Sequence, residues 1–207
     1  MKGSSARSKE VNAHKACYRG RFAPSPTGPL HFGSLVAALG SFLDARAHGG
    51  VWLVRMEDLD QPRAVTGAAD AILRTLDAFG FQWDGEILYQ SARAEAYAEA
   101  VEALRRSGLI FPCTCSRREI AAHAPRGADG PVYPGTCRKR LPSGKGARTL
   151  RLRTEKQSIL IRDRIQGEVR QDLERAVGDF VLRRADGIHT YQLAVVVDDA
   201  FQGITHV

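Results

Sequence analysis

Apolar and polar positions along the first half of the chain predict strands and helices in alternation. Residues 18–22 form a short apolar segment typical of a strand, and residues 35–48 place Leu and Phe at helical spacing before a Gly-Gly pair. The run VWLVRM at 51–56 is too apolar for a half-exposed edge strand. Helices are predicted again at 66–79 and 92–107, each followed by a glycine. This order predicts a parallel crossover unit and, with the later helices, half of a doubly wound α/β domain.

The pattern changes at Phe111. Cysteines appear there, and Pro, Gly and Arg follow without a clear period. Residues 150–153, 159–162 and 179–184 each predict a short strand, and the Asp186-Gly187 pair after the last one is a strong hairpin signal. We interpret this region as an inserted α+β subdomain with its own small sheet.

The run LAVVV at 193–197 fits a buried strand and a buried helix equally well. A Rossmann-like α/β fold interrupted by an insertion accounts for the whole pattern. The predicted organisation is a disordered N-terminal tail at 1–16, the first half of the Rossmann-like domain at 17–110, the inserted subdomain at 111–188 and the start of the second half at 189–207.

Composition and charge narrow the class of protein. The 207 residues are 43% hydrophobic, and no apolar run approaches the roughly 18 residues that cross a bilayer. The N-terminal segment lacks the apolar core of a signal peptide, so we expect a cytoplasmic protein without membrane contact. The net charge of +7 suggests a polyanionic partner. One stretch fits either a solvated basic face or a contact with an RNA backbone, because it holds eight basic residues against the single acid Glu155: Arg138, Lys139, Arg140, Lys145, Arg148, Arg151, Arg153 and Lys156.

The run RFAPSPTGPLHFGS at 21–34 lies between the first predicted strand and the first predicted helix. Its prolines exclude a continuous strand or helix, and Gly28 and Gly33 let the backbone approach a ligand closely. Such a turn before a helix N-terminus can bind phosphate, because the first amide groups of a helix lack internal partners. His31 would add a donor to phosphate oxygens. The alternative is a proline-rich turn in which His31 is an ordinary loop residue.

This run resembles the nucleotide-binding signature of class I aminoacyl-tRNA synthetases, and more narrowly that of their glutamate branch. Ser34 stands where the wider family has a second histidine. The resemblance implies the class I synthetase fold, a helix at 193–197 and a returning strand at 204–207. It also implies glutamate and ATP as substrates, with Mg²⁺ accompanying ATP, and it gives His31, Gly33 and Ser34 catalytic positions.

A second candidate group lies at the carboxyl end of the second predicted strand, where open α/β sheets bind ligands. Arg21 ends the first strand at the same edge, so its guanidinium and the Glu57 carboxylate could hold the two charged ends of an amino acid. The alternatives are a solvated loop acid at Glu57 and a core aromatic at Tyr191. The resemblance implies that glutamate is bound by Arg21, Phe22, Ala23, Pro24, Ser25, Glu57 and Tyr191.

Three cysteines form a third candidate site. Cys113 and Cys115 are one residue apart, and Cys137 follows a loop rich in Pro and Gly, so their sulfurs could meet around one Zn²⁺ ion. Zinc needs a fourth ligand, for which His123 is a conventional candidate. The alternative is a loop of free cysteines, and we expect Cys17, which stands apart, to be a free thiol.

The cysteine spacing resembles that of a stand-alone branch of the glutamyl-tRNA synthetase family, in which C-x-C is followed after about seventeen residues by Y-x-x-x-C. The resemblance makes Tyr133 the fourth ligand of one zinc per chain. It implies a monomeric enzyme that activates glutamate with ATP and transfers it to the queuosine base of tRNA(Asp).

The chain departs from this family in one respect. No segment matches the lysine-bearing loop that clamps the triphosphate of ATP, and the resemblance implies that relatives continue past 203–207 to that loop. We therefore expect a second half-domain truncated before the lysine loop, with low activity. Three other interpretations stay open: the N-terminal part of an ordinary glutamyl-tRNA synthetase, a small-molecule adenylyltransferase with the same His-x-Gly motif, and a zinc-bearing RNA-binding module without catalysis.

Overall fold

The computed structural model describes residues 18–127, 130–142, 144 and 146–207. The tail expected at 1–16, Cys17 and Lys145 lie outside the described residues.

The first part of the fold alternates strands and helices as the sequence predicts. The first two strands, at 19–22 and 51–56, pair in parallel and are connected by a helix. A third strand at 88–89, which was not predicted, pairs in parallel with the other edge of the second strand. The elements in chain order are β1 (Arg19–Phe22), α1 (Phe32–Ala47), β2 (Val51–Met56), α2 (Ala68–Ala78), β3 (Leu88–Tyr89) and α3 (Ala94–Arg106).

The second part of the fold is antiparallel up to its last helix. One sheet has three strands, with residues 149–152 between 110–113 and 181–183. Two further strand pairs are hairpins, 126–127 with 130–131 and 158–163 with 167–172. The elements are β4 (Ile110–Cys113), α4 (Arg117–His123), β5 (Arg126–Gly127), β6 (Gly130–Pro131), β7 (Thr149–Leu152), β8 (Ser158–Asp163), β9 (Gly167–Asp172), α5 (Leu173–Ala176), β10 (Val181–Arg183) and α6 (Tyr191–Gln202).

Helices cover both faces of the parallel sheet. Trp52, Val54 and Met56 of β2 are fully buried in the cluster that includes α1 and α2. The alternate residue Arg55 is also fully buried and contacts Asp199 of α6 instead. Because successive side chains of a strand point to opposite faces, α6 lies on the face away from α1 and α2. The mixed α/β fold with a parallel sheet is therefore confirmed.

A second apolar cluster joins α3 and α6 to the antiparallel sheet. It contains Tyr97 of α3, Leu150 of β7, Leu182 of β10 and Leu193 of α6. Burying one such side chain contributes roughly 1.5–3 kcal/mol, so this cluster fixes α6 against α3 and the antiparallel sheet.

Two features of the second part differ from the sequence expectations. Residues 204–207 are not a strand, because the amides of Thr205 and His206 both donate to the carbonyl of Arg19 instead of forming a ladder. The strand predicted at 159–162 is present, but its partner β9 was not predicted. The helix at 193–197 is confirmed as part of α6. Among the described residues, no helix is long and apolar enough to cross a membrane.

Candidate active site and metal centre

The proline-rich turn leads directly into α1, and His31 is the residue that caps this helix. The His31 Nδ1 atom accepts a hydrogen bond from the Ser34 amide at 3.1 Å, which satisfies one of the unpaired amides of the first turn. A Cβ at Gly33 would lie 3.3 Å from the imidazole, so glycine lets the ring lie close to the backbone. The turn and the start of α1 line a pocket of about 610 Å³. His31, Gly33 and Ser34 are thus brought together there.

A second pocket, of about 450 Å³, lies at the carboxyl end of β2 and is called the acidic pocket here. Ser25, Glu57 and Tyr191 all line it, together with Thr27. Ser25 and Thr27 also line the pocket beside His31, so the two pockets adjoin. Tyr191 is more than half exposed, which excludes the core position considered from the sequence.

The structure divides the seven residues expected around glutamate. Ser25, Glu57 and Tyr191 line the acidic pocket, whereas the other residues of the turn face the pocket beside His31. Phe22, Ala23 and Pro24 form this second group, and Arg21, the seventh residue, lines neither pocket.

Glu57 is a buried acid and not a solvated loop residue. Its side chain is 7% exposed, and an Arg55 Nη atom lies 3.5 Å from its carboxylate. Burial raises the pKa of Glu57 above its ordinary value, although the charges of Arg55 and Arg21 oppose the shift. A buried carboxylate facing a pocket can bind a ligand cation, because the positive charge of the ligand offsets the hydration that the carboxylate loses on burial.

Arg21 contacts an acid that the sequence analysis missed. Its Nε and Nη2 atoms each donate to Asp199 at 3.1 Å. Arg55 donates to the same carboxylate at 2.7 Å, and both arginines lower the pKa of Asp199 against the effect of burial. The pair Asp198-Asp199 in the run VVVDDA was the available signal, because acids inside an otherwise apolar helix need buried partners.

Asp198 is also missing from the predicted residues, and it is fully buried. It accepts hydrogen bonds from Gln90 at 2.9 Å, Arg93 at 2.7 Å and Tyr97 at 2.7 Å. These partners lie on α3 and just before it. Asp198 therefore fixes the position of α6, and with it the position of Tyr191 at the start of that helix.

A third pocket, the arginine groove, lies between α4 and β10 and has a volume of about 790 Å³. Arg117, Arg148 and Arg184 line it, and Ile120 and Phe180 contribute apolar surface. Arg117 and Arg184 also line the acidic pocket, so the groove and the pocket adjoin.

The basic stretch at 138–156 does not form one solvated face. Arg138 pairs with Asp179 at 2.8 Å and with Glu174 at 3.1 Å. Arg151 is buried, and Arg153 is half-buried and donates to the carbonyl of Arg138. The remaining described members are exposed: Lys139, Arg140, Arg148 and Lys156.

The three predicted cysteines meet in one cluster. The sulfurs of Cys113, Cys115 and Cys137 all lie within 4.8 Å of one another. The Tyr133 hydroxyl is 3.4 Å from the Cys113 sulfur and 3.8 Å from the Cys115 sulfur. His123 does not belong to the group of metal-ligating atoms found among the described residues.

The chemistry of this cluster suits a soft divalent cation. Burial raises the pKa of the Cys115 thiol to about 11. Burial acts in the same direction on Cys137, but hydrogen bonds from the Thr114 backbone and the Tyr133 hydroxyl lower its pKa to about 7. A bound cation would compensate the charge of thiolates in this largely buried cluster. The cluster could hold a metal ion, which the soft sulfur donors favour.

Comparisons with known proteins agree with this arrangement. The family model described as tRNA synthetases class I (E and Q), catalytic domain, matches residues 18–207. The chain belongs to this family. In a solved structure of a glutamate tRNA ligase from Elizabethkingia meningosepticum in complex with its amino acid, 43% of the chain superimposes on 92% of the present chain. The TM-score is 0.75 and the sequence identity is 27%.

Two relatives are considerably more similar in sequence. Glutamyl-Q tRNA(Asp) synthetase of Dechloromonas aromatica is 67% identical over 192 residues, which cover 92% of the present chain and 64% of the relative. Glutamyl-Q tRNA(Asp) synthetase of Chromobacterium violaceum is 62% identical over 192 residues, which cover 93% and 64%. The chain thus spans slightly less than two thirds of the length of these relatives.

Proposed function

We propose that this chain carries the catalytic site of an enzyme that activates glutamate with ATP and transfers the glutamyl group to the queuosine base of tRNA(Asp). The observation that carries the proposal is the cluster of three cysteine sulfurs with the Tyr133 hydroxyl beside it, on a class I glutamate-type fold. The relatives named Glutamyl-Q tRNA(Asp) synthetase support the choice of this branch.

Glutamate binds in the acidic pocket in this proposal. Glu57 receives the ammonium group, since it is a buried carboxylate at the wall of the pocket. Arg21 is not among the lining residues of this pocket, but its charge acts on Glu57; it uses two of its five guanidinium donors for Asp199, so three remain for a substrate carboxylate at the edge of the pocket. Tyr191 and Ser25 contribute hydroxyl groups to the same pocket.

ATP binds in the adjoining pocket beside His31, with Mg²⁺ accompanying its phosphates. The glutamate carboxylate attacks the α-phosphate, the bond to pyrophosphate breaks, and glutamyl-adenylate forms. The protein contributes by position and by charge stabilisation, because the amides at the start of α1 and the His31 ring face developing phosphate charge. Gly33 keeps this surface open, and Ser34 holds the His31 ring.

One Zn²⁺ ion per chain is held by Cys113, Cys115, Tyr133 and Cys137 in the same proposal. Zinc prefers four ligands in a tetrahedron, and the Tyr133 oxygen supplies the fourth. Its role is structural, since it ties β4 to a loop that holds few apolar side chains. Residues 111–188 then act as the inserted tRNA-binding subdomain between the Rossmann-like segments 17–110 and 189–207.

The acceptor nucleotide of tRNA(Asp) enters through the arginine groove. The groove adjoins the acidic pocket, which would place an incoming base next to the activated glutamyl group. Its arginines can bind phosphates, and its apolar residues Ile120 and Phe180 can contact the face of a base. Transfer of the glutamyl group to the base then releases AMP.

Labelled glutamate tests the proposal. The chain, and a version extended to the length of the relatives, are incubated with ATP and with purified tRNA(Asp), with or without queuosine, or tRNA(Glu). We expect label on queuosine-containing tRNA(Asp) alone, with higher activity in the longer protein. Label at the 3′ end of tRNA(Glu) would favour an ordinary glutamyl-tRNA synthetase. Absence of glutamate-dependent pyrophosphate exchange in both proteins would favour an RNA-binding module without catalysis.

A further inference from the structure

Arg151 of β7 is a buried cation without a carboxylate partner among the described residues. The residue is 7% exposed, yet it takes part in no ion pair among the described residues, unlike Arg138 nearby. Its Nη1 atom donates to the backbone carbonyl of Asp179 at 2.7 Å, and its Nε atom is buried without a hydrogen-bond partner. The guanidinium carbon lies 4.1 Å from the centre of the Tyr133 ring.

Other buried or half-buried arginines of this chain are paired differently. Arg55 contacts the carboxylates of Glu57 and Asp199, and Arg138 contacts that of Asp179. Burying an unpaired cation is costly, so a compensating negative charge is expected close to Arg151. The Asp179 carboxylate is already held by Arg138 and Thr154, so the group in contact with Arg151 that could carry one is Tyr133, with the sulfurs beside it.

The zinc centre proposed above, with Tyr133 and the three cysteines as ligands, would supply that charge. Three thiolates and one phenolate around a divalent cation leave a net negative charge of about two. Such a centre is itself expensive to bury unless a cation lies nearby. Arg151 is placed over the ring of the one oxygen ligand, where a guanidinium is attracted by the π-face as well as by the charge.

We propose that Arg151 is the counter-cation of the metal centre and a positioning residue for Tyr133. The proposal rests on the zinc site proposed above. Arg151 holds the Tyr133 ring by stacking, and its charge lowers the free energy of the loaded centre relative to the empty one. Without the metal, the same charge is a destabilising feature, so zinc affinity and Arg151 are linked.

The test compares Arg151→Gln, which removes the charge and keeps a donor, with Arg151→Lys, which keeps the charge. Arg153→Gln is the matched control, because Arg153 lies two residues away over the ring of Phe111, which is not a ligand. Zinc affinity is measured by competition with a chromophoric chelator, and Co²⁺ absorption spectra report the ligand set. Thermal unfolding is recorded for each protein with zinc and after chelation.

We expect Arg151→Gln to weaken zinc affinity about 10- to 100-fold, Arg151→Lys to retain most of it, and Arg153→Gln to match the wild type. After chelation, Arg151→Gln should unfold at the same temperature as the wild type or higher. Equal loss of stability with and without zinc, or unchanged affinity, would overturn the role of Arg151. A wild-type chain that binds no zinc, or binds it equally after Cys115→Ser, would refute the metal site itself.

Discussion

At the scale of single residues, the candidate site is organised by electrostatic interactions that burial strengthens. Glu57 lies at the wall of the acidic pocket with little exposure, and its pKa is raised mainly by that burial. A carboxyl group with a raised pKa is destabilising when ionised, so its free-energy cost appears as pH rises above the ordinary value for glutamate. A bound ammonium group would offset this cost.

Glu57→Gln should therefore separate ligand binding from stability. We expect glutamate affinity to fall roughly 30-fold, about 2 kcal/mol, because the ammonium loses its partner, while ATP affinity changes little. The free energy of unfolding at neutral pH should stay within about 1 kcal/mol of the wild type or rise, since a buried charge is removed. Calorimetric titration with each ligand and urea unfolding measure these quantities. Equal losses for glutamate and ATP would mean that Glu57 only shapes the loop.

The same residue predicts a pH dependence. Because the pKa of Glu57 is raised, its carboxylate is lost at a higher pH than an ordinary glutamate as the solution becomes more acidic. Glutamate affinity of the wild type should thus decline as pH falls through that raised value, and the decline should be absent in Glu57→Gln.

At the scale of elements, α6 joins the two parts of the fold through adjacent acids. Asp199 faces the parallel sheet, where it binds Arg21 and Arg55, and Asp198 faces α3. These contacts align the first turn of α6, which carries Tyr191 at the acidic pocket.

Asp198→Asn should destabilise the chain by about 3 kcal/mol, because it leaves Arg93 without its charge partner and disturbs three hydrogen bonds inside the protein. Asp186→Asn is the control, since its ion pair with Arg184 is exposed and should contribute less than about 1 kcal/mol. Urea unfolding of both variants checks the difference. Similar losses in the two proteins would show that Asp198 is not a central contact of α6.

The elements that the sequence predicted correctly carry their signals within a few residues. β2 is a continuous apolar run, and α1 is a run of helix-forming residues that ends before a Gly-Gly pair, so the parallel crossover could be predicted. The cysteine cluster could also be predicted, because its spacing is short. The partners of Arg55 could not, since Asp199 lies 144 positions away. The β8-β9 hairpin is exposed along most of both strands, so no burial pattern indicated the second strand.

At the scale of the whole molecule, arginines line the groove that adjoins the acidic pocket. Arg184 donates to Asp60 at 3.0 Å on the side of the acidic pocket and to Asp186 at 2.6 Å beyond it. Arg148 is exposed at the arginine groove and is free to contact phosphate there. Arg138, Arg151 and Arg153 of the basic stretch are engaged internally, so the expected tRNA surface is the groove together with the exposed members of the stretch that reach it, Arg148 above all.

Glutamyl transfer should consequently weaken steeply with salt, whereas glutamate-dependent pyrophosphate exchange should barely change. Arg148→Ala is expected to raise the KM for tRNA several-fold and to reduce the slope of log affinity against log salt by roughly one phosphate contact. Arg162→Ala serves as the control, because it removes the same charge from the exposed hairpin away from the groove. An identical salt slope in Arg148→Ala and the wild type would place the tRNA elsewhere.

The chain of contacts from Arg21 through Asp199 and Arg55 to Glu57 also limits how this protein can evolve. Two guanidinium groups and two carboxylates balance one another in a largely buried space. Replacing Asp199 leaves both guanidinium groups without the carboxylate that they share, whereas replacing Glu57 removes a buried charge, so the cost of a substitution depends on the residues present at the other positions. Arg21, Arg55 and Asp199 are therefore expected to change together or not at all. A drift in substrate preference can begin at Glu57 only while these three residues keep their mutual balance.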